Sequence, residues 1–335
     1  MCSLVGIITL NLHRCCNKLS DLNQNNPFAS VTFHTVDGEY AGQRLDNFLI
    51  RLLKGVPKSR IYRLLRKGEV RVNKGRVKPD TRLNQGDVIR IAPIRVSTGE
   101  SSGSPSSQFR KRLNQSIIFE DDALLIVNKP SGIAVHGGSG VSYGVIEGLR
   151  ADRPDCKYLE LAHRLDRDTS GCLMLAKSRS ALISIQQSMQ NNLIKKSYQA
   201  LVKGRWPKGK SVINAPLKKN TLSSGERMVR VDAQGKASVT HFKVARNYMD
   251  ATLLDVSLET GRTHQIRVHC QFSSQPIAGD SKYGDPVFNQ HLRGFGLKRL
   301  FLHASSLKFK HPISGDLVDV QAELPNELNS VLDQL

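Results

Sequence analysis

One run of polar residues in this chain has the composition of a reactive loop. Residues 163–171 read His-Arg-Leu-Asp-Arg-Asp-Thr-Ser-Gly and bring two carboxylates together with two arginines. The apolar segment 172–176 follows directly and is typical of a buried strand. Asp166 therefore lies in a predicted turn at the mouth of a strand, where an ionised carboxylate can act as a nucleophile or a general base. On this segment alone, a turn or capping role for Asp166 is the commoner interpretation.

A second polar run supplies a cation that could face such a carboxylate. Gln265, Arg267 and His269 alternate with Ile266 and Val268. Period-two alternation predicts a strand with the polar side chains on one face and the apolar ones toward the core. Arg267 could then hold a nearby carboxylate in its ionised form.

Motifs that would indicate a bound metal or cofactor are missing from the sequence. There is no Walker loop, no H-E-x-x-H and no strand followed by G-x-G-x-x-G, and the six cysteines form no C-x-x-C pair. The glycines of residues 136–140 are interpreted as a tight turn rather than a phosphate loop. His163, His264 and His269 are interpreted as hydrogen-bonded structural histidines rather than metal ligands. We therefore expect neither a metal nor a cofactor.

The charge of the chain indicates a polyanionic partner. The formal net charge is +20, and lysines and arginines gain free energy by displacing counterions from phosphates. Residues 42–96 carry 15 Lys or Arg against four Asp or Glu, a net charge of +11. Such concentration favours contact with RNA or DNA over a merely solvated basic face.

This basic region has the pattern of a small α-then-β module. Apolar spacing predicts a helix from Leu45 to Leu53 and a second helix from Pro57 to Gly68, followed by short strands. The module resembles the S4 RNA-binding domain, in which two short helices present cations to structured RNA. The candidate RNA-binding residues are Lys58, Arg60, Arg63, Arg66, Lys67 and Arg71.

Composition divides the rest of the chain. Residues 1–30 are expected to be a disordered tail, 31–96 the S4-like domain, 97–110 a flexible Ser/Gly linker and 111–330 a catalytic domain. Many short β patterns and few helical ones in the last segment predict an α+β fold on a mixed, largely antiparallel sheet. The apolar stretch 4–12 is about nine residues, far short of the roughly 18 that a membrane helix needs. Without a signal peptide or paired cysteines, a cytoplasmic location is expected.

Together the motifs resemble those of the pseudouridine synthases, and within them the branch that acts on the large ribosomal subunit. The run 163–171 resembles the signature that contains the family's essential aspartate, and Asn-Lys-Pro-Ser-Gly at 128–132 resembles the motif before it. Lys-Ser-Tyr at 196–198 looks like the segment that holds the active-site tyrosine, and Arg267 looks like the conserved arginine. The resemblance covers the chain from about residue 31 to residue 324.

The resemblance implies specific roles. Asp166 would be the catalytic carboxylate, Tyr198 would stack on the base near C5, and Arg267 would keep Asp166 charged. Arg164 would hold the rearranged strand after the target uridine has been extruded from folded RNA. The reaction breaks an N1–C1′ bond and forms a C5–C1′ bond without net redox change, so it needs no cofactor.

The implied substrate is 23S ribosomal RNA or a large-subunit assembly intermediate, with several target uridines including the peptidyl-transferase region. The protein is expected to act as a monomer. Two alternatives stay open at the level of sequence: a non-catalytic S4-type RNA-binding assembly factor, and an RNA N-glycosylase that would release free uracil.

Overall fold

The chain folds as two compact units that divide between Gly103 and Ser104. The computed structural model describes residues 28–94 apart from 29, 54 and 55, residues 104–138, and residues 142–335 apart from 222–226. The expected tail therefore lies outside the described residues except for positions 28 and 30, and so do positions 97–103 of the expected linker. Phe28 is buried in the core of the first unit, and its carbonyl accepts a hydrogen bond from the Ile94 amide at 2.8 Å.

The first unit packs two helices on a small antiparallel sheet of strand order β1-β4-β2-β3. Its elements are β1 (Thr32–Thr35), α1 (Leu45–Leu52), α2 (Lys58–Lys67), β2 (Val70–Val72), β3 (Gly75–Arg76) and β4 (Val88–Ile91). The apolar stripe of α1 is buried as its spacing predicts. Gly68 adopts a left-handed conformation with φ 73° and returns its amide to Leu64 and Leu65, which ends α2. Both predicted helices are thus confirmed within a residue or two at each end.

The second unit begins with α3 (Ser107–Gln115), so the last four positions of the expected linker are helical. The Ser106 hydroxyl accepts a hydrogen bond from the Phe109 amide and caps this helix. The strands that follow are β5 (Ile117–Glu120), β6 (Leu124–Lys129), β7 (Glu160–Leu161), β8 (Ser170–Ala176), β9 (Lys195–Lys203), β10 (Val212–Asn214), β11 (Leu217–Thr221), β12 (Arg227–Val231), β13 (Val239–Asn247), β14 (Ala251–Leu258), β15 (Leu302–Lys310) and β16 (Leu317–Gln321). The other helices are α4 (Val145–Ala151), α5 (Arg179–Gln190), α6 (Gln265–Phe272), α7 (Pro286–Gly294) and α8 (Asn326–Leu332).

Ten of these strands form one sheet in the order β10-β13-β14-β9-β15-β8-β6-β5, with β16 beside β15 and β7 beside β8. Within it only β8 and β15 run parallel. The expected mixed, largely antiparallel sheet is therefore confirmed. β11 and β12 form a separate hairpin that packs on α6. Among the residues that the structure describes, no helix has the length and apolarity needed to cross a membrane.

The strand predicted around Arg267 is wrong, because residues 265–272 form helix α6. The alternation misled because every residue from Gln265 to Cys270 is buried, polar and apolar alike. The polar side chains face inward because they have partners there, so polarity did not mark an outer face. The Gln265 amide oxygen, for example, accepts hydrogen bonds from the Arg262 amide and the Thr260 hydroxyl at 2.9 Å each.

Gly171, at the end of the polar run 163–171, is required by the parallel pairing of β8 with β15. It has φ 109° and lies opposite Ala304 in the register. A Cβ atom placed there would lie 2.2 Å from the Ala304 carbonyl oxygen. Only glycine combines this backbone conformation with so close an approach.

We predict that Gly171→Ala lowers the free energy of unfolding by about 3 kcal/mol, because backbone strain and overpacking add at one site. Urea denaturation followed by circular dichroism would measure the loss. Gly294→Ala is the matched control, since a Cβ at the end of α7 meets nothing within 4 Å. Equal stability of the two variants would contradict the constraint.

Candidate active site

Asp166 lies in the turn before β8, and the segment that follows β6 supports this turn. Lys129 is completely buried, and its ammonium group donates hydrogen bonds of 2.9 Å to the carbonyls of Pro130, Ile133 and Arg167. The Gly132 amide donates to the same Arg167 carbonyl at 2.9 Å. Two motifs separated in sequence are thus held together through one lysine and a few backbone groups.

Burial lowers the pKa of Lys129 to about 7, and the charge of Arg299 acts in the same direction. The nearby carboxylates of Asp168 and Asp166 oppose this shift. Three carbonyl acceptors around one ammonium group also favour the protonated form, because each of its protons then has a partner. Lys129 is therefore a support of the Asp166 turn rather than a free base.

Arg267 extends from α6 into the site and is paired with the buried carboxylate of Asp280. Its Nε and Nη2 donate to the two oxygens of Asp280 at 2.7 Å each, whereas its Nη1 lies 3.5 Å from Asp166 Oδ2. Burial alone would raise the pKa of Asp280, but the hydrogen bonds and charge of Arg267 outweigh it and the pKa lies below its usual value. Asp280 also accepts hydrogen bonds from the amides of Lys282 and Tyr283.

His264 provides a second polar group beside Asp166. Its Nε2 lies 3.8 Å from Asp166 Oδ2, and its Nδ1 lies 2.8 Å from the Tyr283 hydroxyl. That hydroxyl already accepts a hydrogen bond from the Val229 amide at 3.0 Å, so its own proton is available to Nδ1. Burial lowers the pKa of His264 despite the opposing charge of Asp166. The lowered pKa favours the neutral ring, in which either Nδ1 or Nε2 carries the proton.

Tyr198 in β9 lines the same pocket and is 8% exposed. Burial raises its pKa, and the nearby charge of Asp166 adds to the shift, so the side chain stays a neutral phenol. Together with Asp166 and Arg267, it lines a pocket that also contains the aliphatic side chains of Leu165, Leu258, Ile266 and Leu302. The lining residues, called the reactive pocket below, are Arg164, Leu165, Asp166, Thr169, Tyr198, Leu258, Gly261, Arg262, Thr263, His264, Gln265, Ile266, Arg267 and Leu302.

The structure thus brings Asp166, Tyr198, Arg267 and Arg164 together at one pocket. Sequence reasoning missed Asp280 and Tyr283, although the acid and tyrosine of the Gly-rich run 279–285 were a possible signal. It also assigned His264 to structure alone, whereas this residue lies at the site. The other two histidines fit the structural interpretation. His163 Nε2 accepts from the Met174 amide, and His269 bonds to the Thr240 hydroxyl and the Ala215 carbonyl.

No group of three or more His, Cys, Asp or Glu within the described parts of the chain is arranged to hold a metal ion. The side chains of the reactive pocket can themselves supply acid–base, nucleophilic and stacking groups. The pocket offers one carboxylate near a fixed guanidinium and an imidazole, a neutral phenol, and aliphatic side chains against which a flat base could pack.

In the first unit, the predicted RNA-binding cations lie mostly outward. Lys58, Arg63, Arg66 and Lys67 on α2 are exposed, whereas Arg60 is half-buried. Arg71 in β2 is exposed between two buried valines. The first unit therefore presents several solvated cations from α2 and from β2.

Comparison with known proteins identifies both units. The family model of RNA pseudouridylate synthases matches residues 123–272, and that of the S4 domain matches residues 43–89. The chain is 53% identical over 310 residues to the ribosomal large subunit pseudouridine synthase C of Haemophilus influenzae, covering 92% of this chain and 96% of that protein. It is 54% identical over 309 residues to the protein of the same name from Salmonella typhi, covering 91% and 97%.

Solved structures show the same relationship at lower identity. The human RNA pseudouridylate synthase domain containing 4 protein superimposes with a TM-score of 0.55 at 25% identity, over 67% of this chain and 94% of that chain. The human RNA pseudouridylate synthase domain containing 1 protein superimposes with a TM-score of 0.53 at 25% identity, over 64% of this chain and 86% of that chain.

We predict that Lys129→Met destabilises the second unit by about 3 kcal/mol, because three carbonyls each lose a hydrogen bond and, in the described part of the chain, only that of Arg167 keeps another donor, the Gly132 amide. Urea denaturation would measure the loss, and amide hydrogen exchange would show faster opening of residues 128–133 and 166–169. Lys243→Met, at an exposed position of β13, is the control for loss of a charge. Wild-type exchange rates in both segments of the Lys129 variant would show that the turn has another support.

Proposed function

Because this chain belongs to the family of RNA pseudouridylate synthases, we propose that it converts uridines of large-subunit ribosomal RNA to pseudouridine with Asp166 as catalytic carboxylate. We assign this role to Asp166 because its Oδ2 lies 3.5 Å from Nη1 of Arg267. The Nε and Nη2 atoms of the same arginine are bound to Asp280. The names of the two relatives from Haemophilus influenzae and Salmonella typhi, which refer to the ribosomal large subunit, support the choice of RNA.

An ionised carboxylate can start the reaction in two ways. Asp166 can add to C6 of the base, or it can remove the ribose 2′ proton to give a glycal intermediate. The guanidinium of Arg267 favours the ionised form in either case. Because Asp280 binds two of its nitrogens, Arg267 does not close over both oxygens of Asp166, and the carboxylate stays available to substrate.

Tyr198 and the aliphatic side chains of the reactive pocket can pack against a base that must be turned between bond cleavage and bond formation. A neutral phenol ring can stack on uracil in either orientation, since stacking does not depend on where the ring nitrogens lie. We propose that Tyr198 lies near C5 of the bound base, from which a proton must leave after the new bond has formed. Arg164 is exposed at the mouth of the pocket, where it can contact the strand from which the uridine is extruded.

The S4 unit supports a large RNA as substrate. Its outward cations on α2 and Arg71 would contact phosphates and set the register of the RNA without reading its sequence. We expect the substrate to be 23S rRNA or a large-subunit assembly intermediate, and the enzyme to act as a cytoplasmic monomer without a cofactor. A purely binding S4-type factor would have no use for Asp166, Tyr198 and Arg267 at one pocket.

We predict that Asp166→Asn reduces turnover at least about 1,000-fold, because the amide can neither attack nor accept a proton. The assay is release of tritium from rRNA labelled at C5 of uridine. Asp168→Asn is the matched control, since its carboxylate pairs with Arg167 at the surface, 3.1 Å away. Tritium release by the Asp166 variant at the wild-type rate would refute the assignment, and release of free uracil by the wild type would indicate an N-glycosylase.

We predict that replacing Arg63, Arg66 and Lys67 together by Gln weakens rRNA binding and lowers the slope of log K against log salt by about 2. Turnover of a short RNA fragment at saturation would stay within about twofold, because these residues belong to the other unit. Filter binding between 50 and 200 mM salt, roughly the range where such slopes are measured, gives the readout. The control replaces Lys195, Lys243 and Lys310, three exposed lysines of the second unit. An equal loss of slope in both triple variants would mean that the S4 unit has no special share in binding.

A further inference from the structure

A basic groove adjoins the reactive pocket on the side of the β11–β12 hairpin. The residues that line this hairpin groove are Leu217, Lys218, Lys219, Val229, Gln234, Gly235, Lys236, Gly261, Arg262 and Thr263. Residues 261–263 also line the reactive pocket. The two cavities therefore border on each other along residues 261–263.

The groove carries more positive charge than its acids neutralise. Lys219 and Lys236 are exposed, and neither has a carboxylate within ion-pair distance among the residues that the structure describes. Lys218 bonds to Gln234 and lies 3.8 Å from Asp232, a carboxylate that also pairs with Arg230. Among the described residues, the lining of the groove thus carries four cations with Arg262, and the one acid paired with any of them is Asp232, which Arg230 shares.

The backbone positions that carry the lysines of the groove are fixed by hydrogen bonds. Leu217 and Lys236 exchange both of their amide–carbonyl hydrogen bonds, at 2.8 and 2.9 Å. Gly235 permits this close pairing of the two backbones, because a Cβ there would lie 2.6 Å from the Leu217 carbonyl carbon. Lys219 and Lys236 therefore extend from neighbouring, fixed backbone positions, which lowers the entropy lost on binding an anion.

The hairpin that forms one wall is fixed to the active site. Leu217 and Val229 pack against Val268 of α6 and against Tyr283. The Val229 amide also donates to the Tyr283 hydroxyl, which bonds to His264. The groove is thus positioned relative to Asp166 by the same contacts that position His264.

We infer that the hairpin groove binds phosphate groups of the RNA strand on one side of the target uridine. This inference rests on the proposed function. A nucleotide leaves its stack only if the backbone bends around it, so the neighbouring phosphates must be held in a new path. Lysines act as point charges, which suits phosphates and carries no preference for base sequence. The groove therefore holds the strand, while the reactive pocket selects the base.

The test uses the full-length protein with Lys219→Gln and Lys236→Gln together. The substrate is an rRNA fragment from which the wild type releases tritium. We expect KM to rise about tenfold and the salt slope to fall by about 1.4, the value for two phosphate contacts on a single strand at roughly 0.7 each. The maximal rate should stay within about twofold, because neither lysine touches the reacting atoms.

Two control proteins accompany this variant. Lys243→Gln with Lys310→Gln removes the same charge from exposed sites outside the groove and should change KM by less than about twofold. Lys219→Arg with Lys236→Arg keeps the charge and should restore near-wild-type KM. A failure of the Arg pair to restore KM would overturn the electrostatic account.

The location of the phosphates is tested by substitution in the RNA. A neutral methylphosphonate is placed at one linkage at a time on either side of the target uridine. A methylphosphonate at a linkage held by the groove should weaken RNA binding by the wild type. It should not weaken binding by the Gln pair, because the lysine charge that would contact this linkage is already gone. Additive losses at every linkage, or equal KM for the Gln pair and its charge control, would overturn the inference. Absence of tritium release by the wild type from every fragment would instead reject the proposed function.

Discussion

The buried ion pair between Arg267 and Asp280 is the interaction on which the reactive pocket depends. The carboxylate of Asp280 is inaccessible to solvent and is held further by two backbone amides. A free arginine at this position would form a bidentate pair with Asp166 and block it. Because Asp280 takes Nε and Nη2, Arg267 can stabilise the charge of Asp166 without covering the carboxylate. Breaking such a buried pair by removing one partner costs about 3–5 kcal/mol.

The turn that carries Asp166 is held through hydrogen bonds to its backbone rather than to the Asp166 side chain. Lys129 gathers three carbonyls around its ammonium group, and Gly171 lets β8 approach β15 directly after the turn. Neither residue needs to touch substrate. Their effect is to hold Asp166 at one distance from Arg267 before substrate arrives, and preorganised charge is worth more than charge that must reorient during the reaction.

The parts of the fold that could be predicted from sequence are those in which local pattern and tertiary environment agree. Helix α2 has an apolar stripe, a solvated basic face and Gly68 in the left-handed conformation that ends it, so each signal indicates the same helix. Strands β6 and β8 are short, apolar and bounded by turn residues. The S4 resemblance and the mixed sheet followed from such elements.

Prediction failed where polar residues are buried with partners. Helix α6 carries Gln265, Arg267 and His269 inward, so its polar residues do not mark a solvent face and the helical period is hidden. Asp280 was missed for a related reason, because an acid after a glycine is by itself a turn signal. Its pairing with Arg267 depends on a tertiary contact across 13 positions. The start of α3 inside a serine-rich stretch was missed because Ser106 is a helix cap as well as a linker residue.

Tyr283 connects the wall of the hairpin groove to the reactive pocket. Its ring lies 5.0 Å from the guanidinium carbon of Arg267, and its hydroxyl joins the Val229 amide of the hairpin to His264. A displacement of the hairpin would therefore either break a buried hydrogen bond or move the ring against both polar neighbours of Asp166. The first option leaves a buried donor unsatisfied at a cost of about 1–3 kcal/mol. For this reason the β11–β12 hairpin and the residues around Asp166 form one rigid structure. An RNA strand bound in the hairpin groove would therefore be aligned with the reactive pocket.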